Sequence, residues 1–203
     1  MTENTGIRVG TAVPDFTLET YDPQKNDFGQ FDLAAAKKNG QWTILFFYPA
    51  DFTFVCATEF KALADRYPEF KEKGAEVVTV STDTKFTHLA WQREEGQLAG
   101  VKYPMGADAT GNVSRLFGVY MDEAGVALRG TFLINPEGNL VASEVNALNT
   151  GRNVDELMRK FDANIHLAKH GDEACPASWK TDGDKTLKPS AAMVGKVDEA
   201  MKA

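Results

Sequence analysis

Apolar and polar positions follow a few clear patterns along this chain. The run at 41–48, QWTILFFY, is mostly apolar and aromatic and predicts a buried strand. From 57 to 73 the apolar positions Phe60, Leu63, Ala64, Tyr67 and Phe70 recur at helical spacing and predict a helix with one face on a core. Pro68 lacks a backbone donor, so that helix is expected to kink or restart there. AEVVTVS at 75–81 predicts a second buried strand, after which Asp83 or Thr84 offers an N-cap for a helix reaching about Leu98. A short helix is expected over 112–117. Segments 130–135 and 140–146 read as paired strands joined by the turn NPEGN, and 153–169 as an amphipathic helix. Strand and helix alternate, so the fold class is α/β, layered, with some parallel pairing.

Beyond His170 the pattern fades. GDEACPASWKTDGDKTLKPS offers only Trp179 and Leu187 as large apolar anchors. The expected division is therefore a domain over 1–170 and an arm over 171–203 lying on a surface. Cys175 sits in the arm, whereas Cys56, the other of the two cysteines, lies in the domain between the first predicted strand and the helix that follows it.

Composition narrows the function. With 203 residues, 43% hydrophobic and 25% charged, the chain suits one well-buried domain with appendages. A net charge of −7 provides no basic footprint, which argues against nucleic acid as a partner. MTENTGIRVG lacks the marks of a secretion signal, and no apolar run approaches the ~20 residues needed to span a membrane. Two cysteines are not a secreted disulfide framework. The expectation is a cytoplasmic protein whose cysteines are chemical.

In FFYPADFTFVCATEF, Cys56 stands where a strand gives way to a helix. Unpaired N–H groups and the helix dipole favour an anion at such a place, and the thiolate is the reactive form of a thiol. A free cysteine of pKa ~8.5 is about 3% ionised at pH 7, so complete ionisation adds at most ~30-fold. Enzymes need ~10⁶-fold or more. Other groups must therefore stabilise the transition state. Thr53 brings a hydroxyl that donates and accepts, Pro49 a rigid end to the strand, and an arginine would supply several donors. Spacing alone does not choose among the arginines.

Pro49-x-x-x-Thr53-x-x-Cys56 resembles the active-site motif of the peroxiredoxins. The flanks FYPADFTFVC, VSTDTKFTHLAW and CPASW resemble the bacterial alkyl hydroperoxide reductase C type, from VPDFTL at Val13 to KPSAAMVGK at Lys196. The resemblance implies a thioredoxin-like fold, a central mixed sheet flanked by helices, with a C-terminal arm. It implies a thiol-dependent peroxidase acting on hydrogen peroxide and organic hydroperoxides. Cys56 matches the peroxidatic cysteine, Thr53 the threonine that hydrogen-bonds peroxide and thiolate, and Arg129 the arginine that orients both. Cys175 matches the resolving cysteine, contributed in this family by the partner subunit. Glu59 and Arg152 match residues that hold the arginine network. The resemblance also implies a homodimer assembling into a ring of five dimers, with Thr87 near the dimer–dimer contact; the aromatic residues Phe86 and Trp91 are read as candidates for a subunit interface. A flavoprotein reductase, thioredoxin or another dithiol protein would recycle the disulfide. No cofactor or metal is expected, since sulfur carries the redox equivalents and His88, His166 and His170 lack metal spacing.

The family usually has proline after the peroxidatic cysteine; Ala57 stands there here. Alanine is expected to ease unwinding of the site by ~0.4–1 kcal/mol and so to protect against overoxidation. The GGLG insertion and terminal Tyr-Phe helix of overoxidation-prone relatives are not found: the sequence reads MGADATG and VDEAMKA. Competing readings are a cysteine hydrolase, which needs a histidine base beside Cys56, a CxxC disulfide carrier, for which no CxxC exists, and an oligomeric holdase chaperone.

Overall fold

The computed structural model describes residues 6–202. It divides into two compact units after Val154. In the first unit the elements run β1 (Thr17–Asp22), β2 (Asp27–Asp32), α1 (Leu33–Lys38), β3 (Trp42–Phe47), α2 (Phe54–Glu72), β4 (Ala75–Ser81), α3 (Lys85–Glu94), β5 (Met105–Ala107), α4 (Asn112–Leu116), β6 (Tyr120–Met121), β7 (Val126–Ala127), β8 (Arg129–Ile134) and β9 (Leu140–Asn146). The second unit carries α5 (Val154–Lys169), all but its first residue, and α6 (Val197–Lys202).

One seven-stranded mixed sheet, in the order β2-β1-β5-β4-β3-β8-β9, forms the first unit's centre. β3 is buried along its whole length, as a near-continuous apolar run on a central strand requires. It pairs in parallel with β4 and antiparallel with β8, so β3–α2–β4 is a crossover unit. Side chains alternate across β3. Leu45 and Phe47 enter a cluster with Phe117 and Phe132, whose rings stand 4.7–5.6 Å from one another. On the opposite face Tyr48 packs edge-on against Phe60 of α2 at 4.8 Å, and Phe60 against Trp91 of α3 at 4.9 Å. Each such ring contributes ~1.5–3 kcal/mol by leaving water.

Four expectations change. α2 begins at Phe54, not at Ala57, and runs on through Pro68 rather than restarting there. Tyr67 and Phe70, buried on either side of the proline, hold the helix in place. The helix expected to reach Leu98 ends at Glu94, and a separate turn of 3-10 helix spans Gly96–Leu98. Trp91 is 1% exposed and belongs to the core of its own chain, not to a subunit interface; Phe86 is 62% exposed. No helix among the described residues is long and apolar enough to cross a membrane.

Candidate active site

The chain leaves β3 at Phe47, turns, and enters α2 at Phe54 with Thr53 as N-cap. This is the carboxyl edge of a parallel pair, where α/β sheets bind ligands. The Thr53 hydroxyl does not cap the helix; it donates to the Ala50 carbonyl at 2.7 Å. Its one hydrogen is thereby committed and its lone pairs are left to accept. No side chain of Thr53 satisfies the first-turn amides, which have no acceptor within the helix. The Ala57 amide makes the first bond of the helix, donating to the Thr53 carbonyl at 3.2 Å.

Cys56 lies in this first turn and is fully buried. Arg129, the first residue of β8, aims Nη1 at Cys56 Sγ across 3.3 Å. The same nitrogen donates to Glu59 Oε2 at 2.7 Å, and Nε donates to the Leu148 carbonyl at 2.7 Å. Glu59, one turn beyond Cys56, also receives the Arg152 backbone N–H and Nε at 2.9 Å each on Oε1, and Nη2 at 3.0 Å on Oε2. Arg152 Nη1 donates to the Gly130 carbonyl at 2.9 Å and Thr131 Oγ1 at 3.1 Å, and its guanidinium lies 3.3 Å over the Phe46 ring. Burial pulls the Arg152 guanidinium below its ordinary pKa, and Glu59 opposes that shift. Two buried guanidiniums face one carboxylate. The unit of positive charge left over stands beside the sulfur, where an anionic sulfur completes neutrality.

A second network holds the loop before the helix. Tyr48 donates to Asp51 Oδ1 at 2.6 Å, and His88 Nδ1 meets Asp51 Oδ2 at 2.8 Å. His88 Nε2 lies 3.1 Å from the Gly106 carbonyl, so that nitrogen carries a hydrogen. The Asp51 amide donates to Asp83 Oδ2 at 2.9 Å. Burial pushes the Asp51 carboxyl up, against the pull of His88. Beside this anchored residue, Phe52 has a left-handed φ of 57°, a conformation costing ~1–3 kcal/mol outside glycine.

Thus Cys56, Arg129, Glu59 and Arg152 meet in one buried cluster. Thr53 and half-buried Pro49 flank it along the chain. Cys175 belongs to the second unit, is a free thiol like Cys56, and is half-buried. Burial first, and the Glu173 carboxylate second, push its thiol up, while Arg159 opposes them. Sequence reasoning missed Leu148, Tyr48, Asp51 and His88. One signal existed: His88 shares a helix face with Trp91, three residues on, so a buried polar group was to be expected there.

A buried cysteine at the start of the helix after a central strand, with an arginine on its sulfur, marks a thioredoxin-like thiol enzyme. Residues 9–143 match the AhpC/TSA family. The chain is 50% identical over 182 residues to the putative peroxiredoxin YkuU of Bacillus subtilis, covering 88% of this chain and 97% of that protein. It is 44% identical over 170 residues to alkyl hydroperoxide reductase C of Escherichia coli K12, covering 83% and 90%. Among solved structures, the reduced 2-Cys peroxiredoxin of Plasmodium vivax superposes with a TM-score of 0.85 at 35% identity, covering 94% of this chain and all of that one. The chain belongs to the AhpC/TSA family and is a thiol-dependent peroxidase of the peroxiredoxin class.

Proposed function

We propose that Cys56 reduces hydrogen peroxide and organic hydroperoxides, with Arg129 and Thr53 holding the substrate. The observation that carries this reading is the single nitrogen, Arg129 Nη1, shared between Cys56 Sγ and Glu59. The Cys56 thiolate attacks one peroxide oxygen. The sulfur–oxygen bond forms as the oxygen–oxygen bond breaks, sulfur is oxidised to sulfenic acid, and the leaving oxygen takes a proton to become water or alcohol. Thr53, its own hydrogen spent on Ala50, accepts from the peroxide O–H. Arg129 donates to the oxygens on which charge builds, and so supplies the stabilisation that thiolate formation alone lacks. Glu59 and Arg152 fix Arg129, and Pro49 shields the sulfur from water.

Cys175 of a partner subunit then attacks the sulfenic sulfur. A disulfide forms, and the departing hydroxide takes up a proton to become water. An external dithiol protein, thioredoxin or a flavoprotein reductase, returns both cysteines to thiols. This reading assigns peroxidase chemistry to 1–170 and resolution to the 171–203 arm. It also takes the protein to be a cytoplasmic homodimer that assembles into a decameric ring. Non-reducing electrophoresis after one equivalent of hydrogen peroxide tests it. A covalent dimer in wild type, absent from Cys56→Ser and Cys175→Ser, is expected. Peroxide left unconsumed by wild type overturns the assignment of Cys56. A monomeric band with peroxide consumed overturns the intersubunit role of Cys175.

A further inference from the structure

Within the second unit, His166 of α5 stands between two carboxylates of the arm. Its Nε2 lies 2.9 Å from Glu173 Oε2 and its Nδ1 3.1 Å from Asp182 Oδ1. Both ring nitrogens thus face acceptors, an arrangement only a doubly protonated imidazolium satisfies. Glu173 is held further by the Thr186 hydroxyl, which donates to Oε2 at 2.6 Å. Next to it, Ala174 and Leu187 exchange backbone hydrogen bonds of 2.7 and 2.9 Å, and Cys175 follows directly. The arm is thereby closed into a loop around its cysteine, with His166 as the clasp.

We infer that His166 is a positioning residue for Cys175: its imidazolium, gripping Glu173 and Asp182, restrains the arm, and loss of that proton frees the arm for disulfide formation. The inference rests on the reading of Cys175 as the resolving cysteine. The groups that face the clasp are few. His170 stacks on His166 at 4.5 Å between ring centres, Trp179 stands 5.8 Å away, and Lys188 reaches Glu173 at 3.8 Å. Asp162 lies one helical turn earlier on α5. The Glu173 hydrogen bond, and secondarily that of Asp182, raise the His166 pKa, whereas Thr186 and His166 lower Glu173 to about 2. For His166 the stabilisation is fully present below the ordinary histidine value and is lost as pH rises through its raised one. For Glu173 it is present above the ordinary carboxylate value and lost only towards pH 2. The clasp is therefore shut at mildly acid pH and opens on the alkaline side of 6.5.

The experiment uses the full chain. Single-turnover disulfide formation is followed from pH 5.5 to 8.5 in wild type, His166→Gln and His166→Lys, with His166 titrated in parallel by proton NMR. In wild type the rate is expected to show an inflection at the NMR-determined value, added to the smooth rise from thiolate formation. His166→Gln should lack the inflection and run about two- to fivefold faster below pH 7, the range expected when ion pairs of surface strength are removed. His166→Lys, a permanent cation, should also lack it and stay slow throughout. Exchange of the Ala174 and Leu187 amides should quicken across the same inflection. Equal profiles in all three proteins, or a His166 that titrates at an ordinary value, overturn the inference. Disulfide formation that survives Cys175→Ser overturns the assignment of Cys175 itself, and the positioning role with it, whatever His166 does.

Discussion

The Glu59 carboxylate accepts four hydrogen bonds, three from Arg152 and one from Arg129, in a site shielded from water. Glu59→Gln keeps the shape but strips the charge, leaving two buried guanidiniums without their counter-ion. Removing one partner of a buried pair costs ~3–5 kcal/mol, so a loss of that size is expected in urea unfolding. Arg129→Lys keeps charge but not the fork that reaches Cys56, Glu59 and Leu148 at once. Its rate of peroxide consumption is expected to fall ~10²–10³-fold, the usual effect of losing one transition-state donor. Stopped-flow measurement of Cys56 oxidation checks it, and an unchanged rate would remove Arg129 from the mechanism. Pro49, Thr53 and Cys56 could be picked out because they lie within eight consecutive residues as one local motif. The arginines, drawn from positions far downstream, were selected only by resemblance. The Leu148 carbonyl could not be read at all, since a backbone acceptor leaves no mark in a side-chain pattern.

At the scale of elements, the start of α2 alters the expectation for Ala57. The periodic apolar stripe begins at Phe60, and the sequence places the helix start close to it, at Ala57. The structure starts the helix at Phe54, so residue 57 is not a free first-turn position: its N–H closes the first bond, onto Thr53. Proline there would remove a hydrogen bond worth ~0.5–1.5 kcal/mol, which favours unwinding. It would also restrict the unwound chain by ~0.4–1 kcal/mol, which opposes unwinding. These terms nearly cancel. Ala57→Pro is therefore expected to change the yield of sulfinic acid under a peroxide titration by less than about twofold. A change of fivefold either way would show that one term rules. The β1–β2 hairpin escaped the sequence pattern for a related reason. β2 is an edge strand with mostly exposed residues, and edges carry polar side chains where a buried strand would show a run.

At the scale of the molecule, Phe86 and Phe28 stand exposed, their rings 5.1 Å apart with Lys85 over both. Phe86 supports the proposed contact between dimers, since exposed aromatic side chains are the usual anchors of interfaces. Phe86→Arg is expected to leave the monomer fold unchanged while shifting sedimentation from ring to dimer. A ring that survives this change would place the contact elsewhere. The α/β class and the buried strands of the sheet could be read from the sequence, because β3 is almost wholly apolar and β4 is rich in valine. The division after Val154 could not, since compactness is a sum over contacts that no local window contains.

Glu59 sets one more limit. If the first turn of α2 unwinds to expose the sulfur, the unwinding stops where the carboxylate is gripped. Cys56 then swings on a leash of three residues, about 10 Å at full stretch. A disulfide needs its two Cα atoms within ~4.4–6.8 Å, so whatever span remains between the thiols has to be covered by travel of the arm. Shortening the arm ahead of Cys175 should therefore slow disulfide formation abruptly at a threshold length, not in proportion to the residues removed.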